Sequence, residues 1–113
     1  MIAQLTKILG DIADKTEQGQ IEWSTDWSAY SCIYTLNEKK YKLAFHAELR
    51  GCECRQYIYY NLYVYDEKSQ KVCQLNERVV PRDLLDRLYR SIPISNQRFR
   101  EFLADYNSAS NAT

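Results

Sequence analysis

The clearest regular pattern in the chain is an alternation of apolar and polar residues between positions 40 and 66. The pattern runs from Lys40 to Arg50, and the segment QYIYYNLYVYD (56–66) repeats it. A period of two is typical of antiparallel strands that bury one face and expose the other to water. It predicts two neighbouring strands whose inward side chains are Tyr41, Leu43, Phe45, Ala47, Leu49, Ile58, Tyr60, Leu62 and Val64.

Shorter strands are predicted on both sides of this pair. The segment AYSCIYTL (29–36) is rich in aromatic and β-branched residues, which favour strands, and KVCQLNE (71–77) fits a last short strand. Residues 21–24 fit a further short one. The polar segments NEKK (37–40) and DEKSQ (66–70) are predicted to be turns. Together these segments predict an antiparallel meander of four to five strands.

Helical spacing of apolar residues precedes and follows the meander. It predicts a helix over residues 2–18 that ends at Gly19, because glycine suits a left-handed helix end. A second helix is expected to begin at Pro81 and to stop at Pro93, and Ser95 is expected to cap a third. The apolar residues of the three stripes are Ile2, Leu5, Ile8, Leu9, Ile12; Leu84, Leu85, Leu88, Tyr89, Ile92; and Phe99, Phe102, Leu103, Tyr106.

The order of these elements predicts an α+β fold. An N-terminal helix is followed by the antiparallel meander, and two C-terminal helices pack on one face of the sheet. Residues 1–106 are expected to form a single α+β domain, and the small polar residues 107–113 (NSASNAT) a disordered tail. One or both of Trp23 and Trp27 are expected to cover the open end of the core, whereas an exposed tryptophan here would instead be an interface anchor.

A specific register for the central hairpin follows if GCEC (51–54) is a four-residue loop. Arg50 then stands opposite Arg55, and every inward apolar residue meets another, which a slip of one residue would abolish. On the outward face, this register places Tyr57, Tyr59, Tyr63 and Tyr65 beside Glu48, His46, Lys42 and Lys40, respectively.

Composition and charge limit which cellular compartment and which classes of binding partner are expected. The 113 residues include 15 basic and 15 acidic side chains, so the composition favours neither nucleic acid nor an anionic membrane. No apolar run approaches the ~20 residues that span a bilayer. Charges at Lys7, Asp11 and Asp14 interrupt any signal-peptide core. We therefore expect a cytoplasmic protein with reduced cysteines and no membrane association.

The row of outward tyrosines is the main candidate for function. Tyrosine suits a solvated sheet by itself, so the row could be purely structural. Tyrosine is also enriched at protein interfaces. The leading hypothesis is a non-enzymatic protein-interaction module, an adaptor or inhibitor whose partner is another protein or a second copy in a homodimer. The predicted partner-binding residues are Tyr57, Tyr59, Tyr63, Tyr65, Lys42, His46, Arg50 and Arg55.

The sequence offers weaker support for three other classes of function. The same rings could stack on nucleotides or single-stranded nucleic acid, but the zero net charge and Glu48 on the same face argue against it. The single histidine, His46, has Glu48 and Tyr59 for neighbours and no evident nucleophile, so no catalytic residue and no cofactor are predicted. Cys52 and Cys54 lack a second ligand pair, because Cys32 and Cys73 point toward the core, and no metal site is predicted.

The run KTEQGQIEW (15–23), followed by a tyrosine-rich meander, carries a loose resemblance. Over residues 8–92 the chain resembles a class of small accessory proteins of bacteria, phages and mobile elements. These proteins have a helix before an antiparallel sheet and one or two helices after it, and some inhibit host or defence machinery. The resemblance implies a protein-binding role and assigns no functional residue.

Overall fold

Residues 2–25 and 29–111, which the computed structural model describes, form three helices and one five-stranded antiparallel sheet. Neighbouring strands in the sheet are also neighbours in sequence. This architecture confirms the predicted α+β class, and Trp27 lies outside the described residues. The elements are α1 (Ile2–Glu17), β1 (Ser24–Thr25), β2 (Tyr30–Leu36), β3 (Lys39–Cys52), β4 (Arg55–Tyr65), β5 (Lys71–Asn76), α2 (Arg82–Ser95) and α3 (Gln97–Asn111).

One face of the sheet carries the hydrophobic core. The apolar stripes of α1 and α2 pack against the inward side chains of the strands, and this mutual burial removes apolar surface from water. None of the helices in the described ranges is long and apolar enough to cross a membrane. The core consists chiefly of Leu9, Ile12, Ile21, Trp23, Leu43, Phe45, Tyr60, Leu62, Leu75, Leu85, Leu88 and Ile92.

An aromatic cluster links the sheet to both helices of the core. The ring of Phe45 stacks on Tyr60 at 5.5 Å and meets the edge of Trp23 at 6.5 Å, while Tyr89 of α2 lies 5.5 Å from Tyr60. The indole of Trp23 is buried and its Nε1 donates to Thr16 Oγ1 at 3.0 Å. This contact satisfies the polar group of a buried tryptophan. The expectation that Trp23 covers the core is confirmed.

The tip of the β3–β4 hairpin is tighter than the predicted four-residue loop. Cys52 pairs with Arg55, so the loop is Glu53–Cys54, and the predicted pairing of Arg50 with Arg55 is wrong by two positions. Gly51 has a φ of 106°, and a Cβ there would lie 2.1 Å from the carbonyl oxygen of Arg55. The tip therefore requires glycine at this position. A shift of two residues preserves the faces, so the predicted inward and outward sets survive.

The β2–β3 turn is also shorter than predicted. Asn37 and Glu38 form a two-residue connection in which both residues have positive φ, 49° and 67°. Two successive residues with positive φ match the right-handed twist of a hairpin. Lys39 and Lys40, which the sequence places in the turn, belong to β3 instead.

The C-terminal helices differ from their predicted boundaries. Helix α2 continues through Pro93, which lies in its last turn, so the one backbone hydrogen bond that proline removes is close to the end of the helix. The chain then turns at Asn96, whose Oδ1 accepts hydrogen bonds from the backbone N–H groups of Arg98 and Phe99. Asn96, rather than Ser95, thus caps α3. Helix α3 extends to Asn111, so residues 107–111 are helical where a disordered tail was expected.

The apolar stripe of α3 is not part of the core. Phe99, Phe102, Leu103 and Tyr106 are all exposed, and the rings of Phe102 and Tyr106 stack on each other at 6.4 Å. Helix α3 contacts the end of α2 and does not lie over the sheet, so the apolar stripe of α3 remains in water. The third helix therefore contributes little to the core that holds the sheet.

Candidate functional site

The sheet has a second face, opposite α1 and α2, which we name the open face. All eight residues predicted to bind a partner lie on it, since alternate residues of β3 and β4 point away from the helices. Its outward positions in β2–β5 are Ser31, Ile33, Thr35, Lys40, Lys42, Ala44, His46, Glu48, Arg50, Arg55, Tyr57, Tyr59, Asn61, Tyr63, Tyr65, Lys71, Gln74 and Asn76.

The cross-strand neighbours on the open face differ from those predicted, because of the register shift. Arg50 pairs with Tyr57, Glu48 with Tyr59 and Lys42 with Tyr65. The predicted register instead placed Glu48 beside Tyr57 and Lys42 beside Tyr63. His46 pairs with Asn61 and Tyr63 with Ala44. The shift brings an arginine, rather than a glutamate, beside the outermost tyrosine.

Tyr59 is the least accessible of the four tyrosines. The residue is only 8% exposed although it lies outside the core, and the guanidinium of Arg50 sits 4.0 Å from its ring centroid. The same guanidinium donates two hydrogen bonds to Glu48 Oε2, at 3.2 and 3.0 Å. A cation over an aromatic ring contributes roughly 0.5–1 kcal/mol at an exposed site. Arg50 therefore acts as a cover that would have to move before a partner touched this ring.

Tyr63 and Tyr65 form a second aromatic group with His46. The two phenol rings stack at 6.2 Å, and the imidazole of His46 meets the ring of Tyr63 edge-on at 5.2 Å. The ammonium of Lys71 lies 5.9 Å from the centroid of Tyr63. Both tyrosines are half-buried by these contacts. Their ring faces are largely engaged with each other and with side chains of the same face.

Tyr57 lies on an arm formed by the outer part of the β3–β4 hairpin. All residues from 48 to 57 are exposed, and Leu49 is 66% exposed although it points to the helix side. The helices therefore do not reach this part of the hairpin. Tyr57 is 47% exposed, which makes it the most accessible of the four tyrosines.

The open face is strongly cationic although the chain as a whole is neutral. Its outward positions carry five cationic side chains and one carboxylate, that of Glu48, which already pairs with Arg50. Nearby, Glu67 in the β4–β5 turn accepts a hydrogen bond from the backbone N–H of Lys40. Segregated charge of this kind attracts anionic groups locally, whatever the net charge. The cations are Lys40, Lys42, Arg50, Arg55 and Lys71.

A depression of about 330 Å³ lies in the open face. Ala44 is nearly buried there, and its small side chain leaves room between larger neighbours. The lining supplies an ammonium, an imidazole, a phenol and two hydroxyls, which suit the binding of a carboxylate or another oxyanion. The residues that line the depression are Ala29, Ser31, Lys42, Ala44, His46, Tyr65 and Ser69.

A polar ladder on β4 and β5 escaped the sequence analysis. Asn61 is 4% exposed, and its Oδ1 accepts hydrogen bonds from Gln74 Nε2 at 2.7 Å and from Asn76 Nδ2 at 3.5 Å. A buried amide requires such partners. The one asparagine within the row of tyrosines is a signal of this ladder in the sequence. Its hydrogen-bond partners, however, follow only from the pairing of β5 with β4. These hydrogen bonds hold the side chains of Asn61, Gln74 and Asn76 in place next to Tyr63 on the open face.

The described residues contain no group of three or more potential ligands that could hold a metal ion. Cys32 is buried and Cys73 is half-buried, both on the helix side, as the sequence analysis expected. Cys52 and Cys54 lie exposed at the hairpin tip. The four thiols are therefore divided between two distant environments.

Comparison with known proteins adds no relative. The chain matches no protein-family model, and searches of curated proteins and of solved structures find no similar protein.

Proposed function

We propose that the protein is a non-enzymatic binding module that holds an acidic segment of a partner protein on its open face. The observation that carries this proposal is the excess of cations among partly exposed tyrosines, on a face that neither core helix covers. Tyrosine and arginine are the side chains enriched in the central contacts of protein interfaces. Such a module would act as an adaptor or as an inhibitor that occupies a partner's site.

The depression around Ala44 gives the acidic segment a place to bind. Lys42, His46 and Tyr65 surround it, so a carboxylate that entered would meet several donors at once. The arm supplies a second region of contact through Tyr57 and Arg55, both exposed. Charged groups of this kind chiefly raise the association rate and the specificity.

A homodimer through two open faces is disfavoured by the same charges. In a symmetric dimer each face meets its own copy, so two faces that each carry five cations and one carboxylate would be brought together. Like charges brought together across an interface cost several kcal/mol. The partner that fits this face is therefore a different, acidic surface.

The test compares two charge reversals in affinity purification from the native host. Lys42→Glu changes the open face, and Arg90→Glu makes the same change in charge at an exposed position of α2, on the other side of the molecule. We expect Lys42→Glu to lose the bound partner and Arg90→Glu to retain it, with circular dichroism confirming the fold of both. Retention by both variants, or loss from both, would contradict the proposal.

Single-stranded nucleic acid is a second candidate, because the cationic open face also suits phosphates. Against it, the ring faces of Tyr59, Tyr63 and Tyr65 are already engaged within the protein, so few remain for stacking bases. Titration with polyglutamate and with oligothymidylate of equal charge separates the two candidates. Tighter binding of polyglutamate supports the acidic segment, whereas tighter binding of oligothymidylate, with quenched tyrosine fluorescence, supports the nucleic acid.

A further inference from the structure

The two cysteines at the tip of the arm lie next to each other in space. Cys52 ends β3, Cys54 lies in the two-residue loop, and their Sγ atoms are 2.9 Å apart. Both side chains are exposed. The two sulfur atoms are thus close enough to be joined in a disulfide by an oxidant, and both are open to a reactant from solution.

The backbone of the tip holds this arrangement. Gly51, directly before Cys52, adopts a positive φ that other residues rarely tolerate, and its missing Cβ lets the carbonyl of Arg55 approach. Cys52 and Arg55 are the last paired residues of the hairpin. The pair of thiols is therefore a consequence of the hairpin geometry, which restrains both cysteines before any reaction.

The environment of the hairpin tip also distinguishes the thiols of Cys52 and Cys54 from those of Cys32 and Cys73. Hydrogen bonds from the Cys54 thiol and from backbone N–H groups lower the pKa of Cys52, because they stabilise its thiolate. Burial raises the pKa of Cys32 to about 12 and raises that of Cys73 as well. Since the thiolate is the nucleophile, reactivity is expected at the tip and not at the buried cysteines.

We propose that Cys52 and Cys54 form a thiol–disulfide exchange site whose substrate is an exposed disulfide of a small molecule. Cys52 loses its proton to water and its thiolate attacks one sulfur of the substrate R–S–S–R. A mixed disulfide between Cys52 and R–S forms, the S–S bond of the substrate breaks, and the first R–S⁻ leaves and takes a proton from water. Cys54 then loses its proton to water and attacks Sγ of Cys52, which forms the Cys52–Cys54 disulfide and releases the second R–S⁻, which also takes a proton from water. The cysteines lose two electrons, the substrate gains two, and two molecules of R–SH are formed.

The short separation in sequence makes the disulfide that forms easy to reduce again. A disulfide between Cys52 and Cys54 closes a small ring across the single residue Glu53. Such rings are strained, and strained disulfides are more easily reduced than relaxed structural ones. An excess of thiol over disulfide should therefore restore both thiols. This site is independent of the open-face proposal, because it needs no partner protein.

The test uses the full-length reduced protein in buffers with graded ratios of oxidised to reduced glutathione. After an acid quench and alkylation with N-ethylmaleimide, intact mass spectrometry counts the alkylated thiols. As oxidised glutathione increases, we expect a species that has lost two hydrogen atoms, accepts two fewer alkylating groups and carries no glutathione. Peptide mapping should place the new disulfide between Cys52 and Cys54, and dilution into reduced glutathione should reverse it.

Three matched cysteine variants sharpen this test. Cys52→Ser and Cys54→Ser should each lack the internal disulfide and keep one glutathione on the remaining tip cysteine. Cys73→Ser, an equal change on β5, should behave as the unaltered protein does. Stable glutathione adducts on both tip cysteines, or a disulfide-linked dimer in place of the internal disulfide, would overturn the proposal.

Discussion

Tyr59 and Tyr60 are neighbours in β4, and both are nearly buried, but different parts of the molecule bury them. Tyr60, 3% exposed, points to the helices, where Phe45 and Tyr89 contact its ring. Burial, with a hydrogen bond to Asp86, raises its pKa to about 12. Tyr59, 8% exposed, points to the open face, where the guanidinium of Arg50 lies over its ring.

The contrast separates two kinds of burial. On the covered face, burial comes from helices and is cooperative, because uncovering one residue requires the core to open. On the open face, side chains of the same face cover Tyr59, and Arg50 is one of them. Arg50 is itself exposed, and neither core helix holds it in place. Low exposure of a residue therefore does not by itself exclude it from an interface.

The largest expected effect is on the covered face. Replacing Leu62, which has no exposed surface, by alanine should lower the free energy of unfolding by about 2–5 kcal/mol, because a cavity remains in the core. The adjacent outward change Tyr63→Ala should cost about 1 kcal/mol, since it loses only contacts on the open face. Urea denaturation measures both values. Equal losses would mean that the two faces are buried in the same way.

At alkaline pH, the buried thiol of Cys32 on the covered face should lower the free energy of unfolding. Because the folded protein raises the pKa of this thiol from 9.0 to about 12, the folded state holds the proton more tightly than the unfolded one. Its contribution to stability is complete below the unfolded pKa and is lost as the pH rises through this range. At about pH 10 the loss should reach about 1 kcal/mol.

The measurement is urea denaturation at about pH 8 and about pH 10. Cys32→Ala should lose less stability between the two conditions than the unaltered protein does. Ile33→Ala serves as the control, because Ile33 is 60% exposed and carries no titratable group. An identical pH dependence in the Cys32→Ala variant would show that this thiol is not the cause.

A smaller effect is expected from the contact between Arg50 and Tyr59. A double-mutant cycle with Arg50→Gln and Tyr59→Leu should give a coupling energy of about 0.5–1 kcal/mol in favour of the pair. Arg55→Gln, an equal change at the hairpin tip, should show little coupling to Tyr59. A coupling energy near zero for Arg50 would mean that the arginine does not cover the ring in solution.

The smallest effect is expected from α3. Phe102 is 62% exposed, so Phe102→Ser should change the free energy of unfolding by no more than about 0.5 kcal/mol, apart from the lost contact with Tyr106. Ile92→Ala in the buried stripe of α2 is the matched change, with an expected loss of about 2–5 kcal/mol. If Phe102→Ser costs as much as Ile92→Ala, the stripe of α3 is covered in solution.

The alternation in β3 and β4 was enough to predict which side chains face the core. Leu43, Phe45, Tyr60 and Leu62 are all buried under the helices, as the period of two required. The same alternation could not select the register, because a shift of two residues keeps every side chain on its face. Only the tight turn at Glu53–Cys54, made possible by Gly51, decides between the two pairings.

Similar limits apply to the helices and to the open face. The stripes of α2 and α3 look equivalent in the sequence, but only α2 lies over the sheet, and α3 leaves its apolar residues in water. The alternation already places Lys40, Lys42, Arg50 and Arg55 on the outward face, whereas Lys71 joins them only through the pairing of β5 with β4. That charge separation is the feature on which the proposed function depends.

The sequence by itself determined the order of elements, the fold class and the side of the sheet to which each strand residue points. These properties follow from local periodicity, which every short segment carries within itself. Tertiary structure alone decided the hairpin register, the contact of Arg50 with the ring of Tyr59, the exposure of α3 and the position of Lys71 on the open face. Each of these depends on contacts between residues distant in the chain, and no local pattern specifies which distant residues will meet.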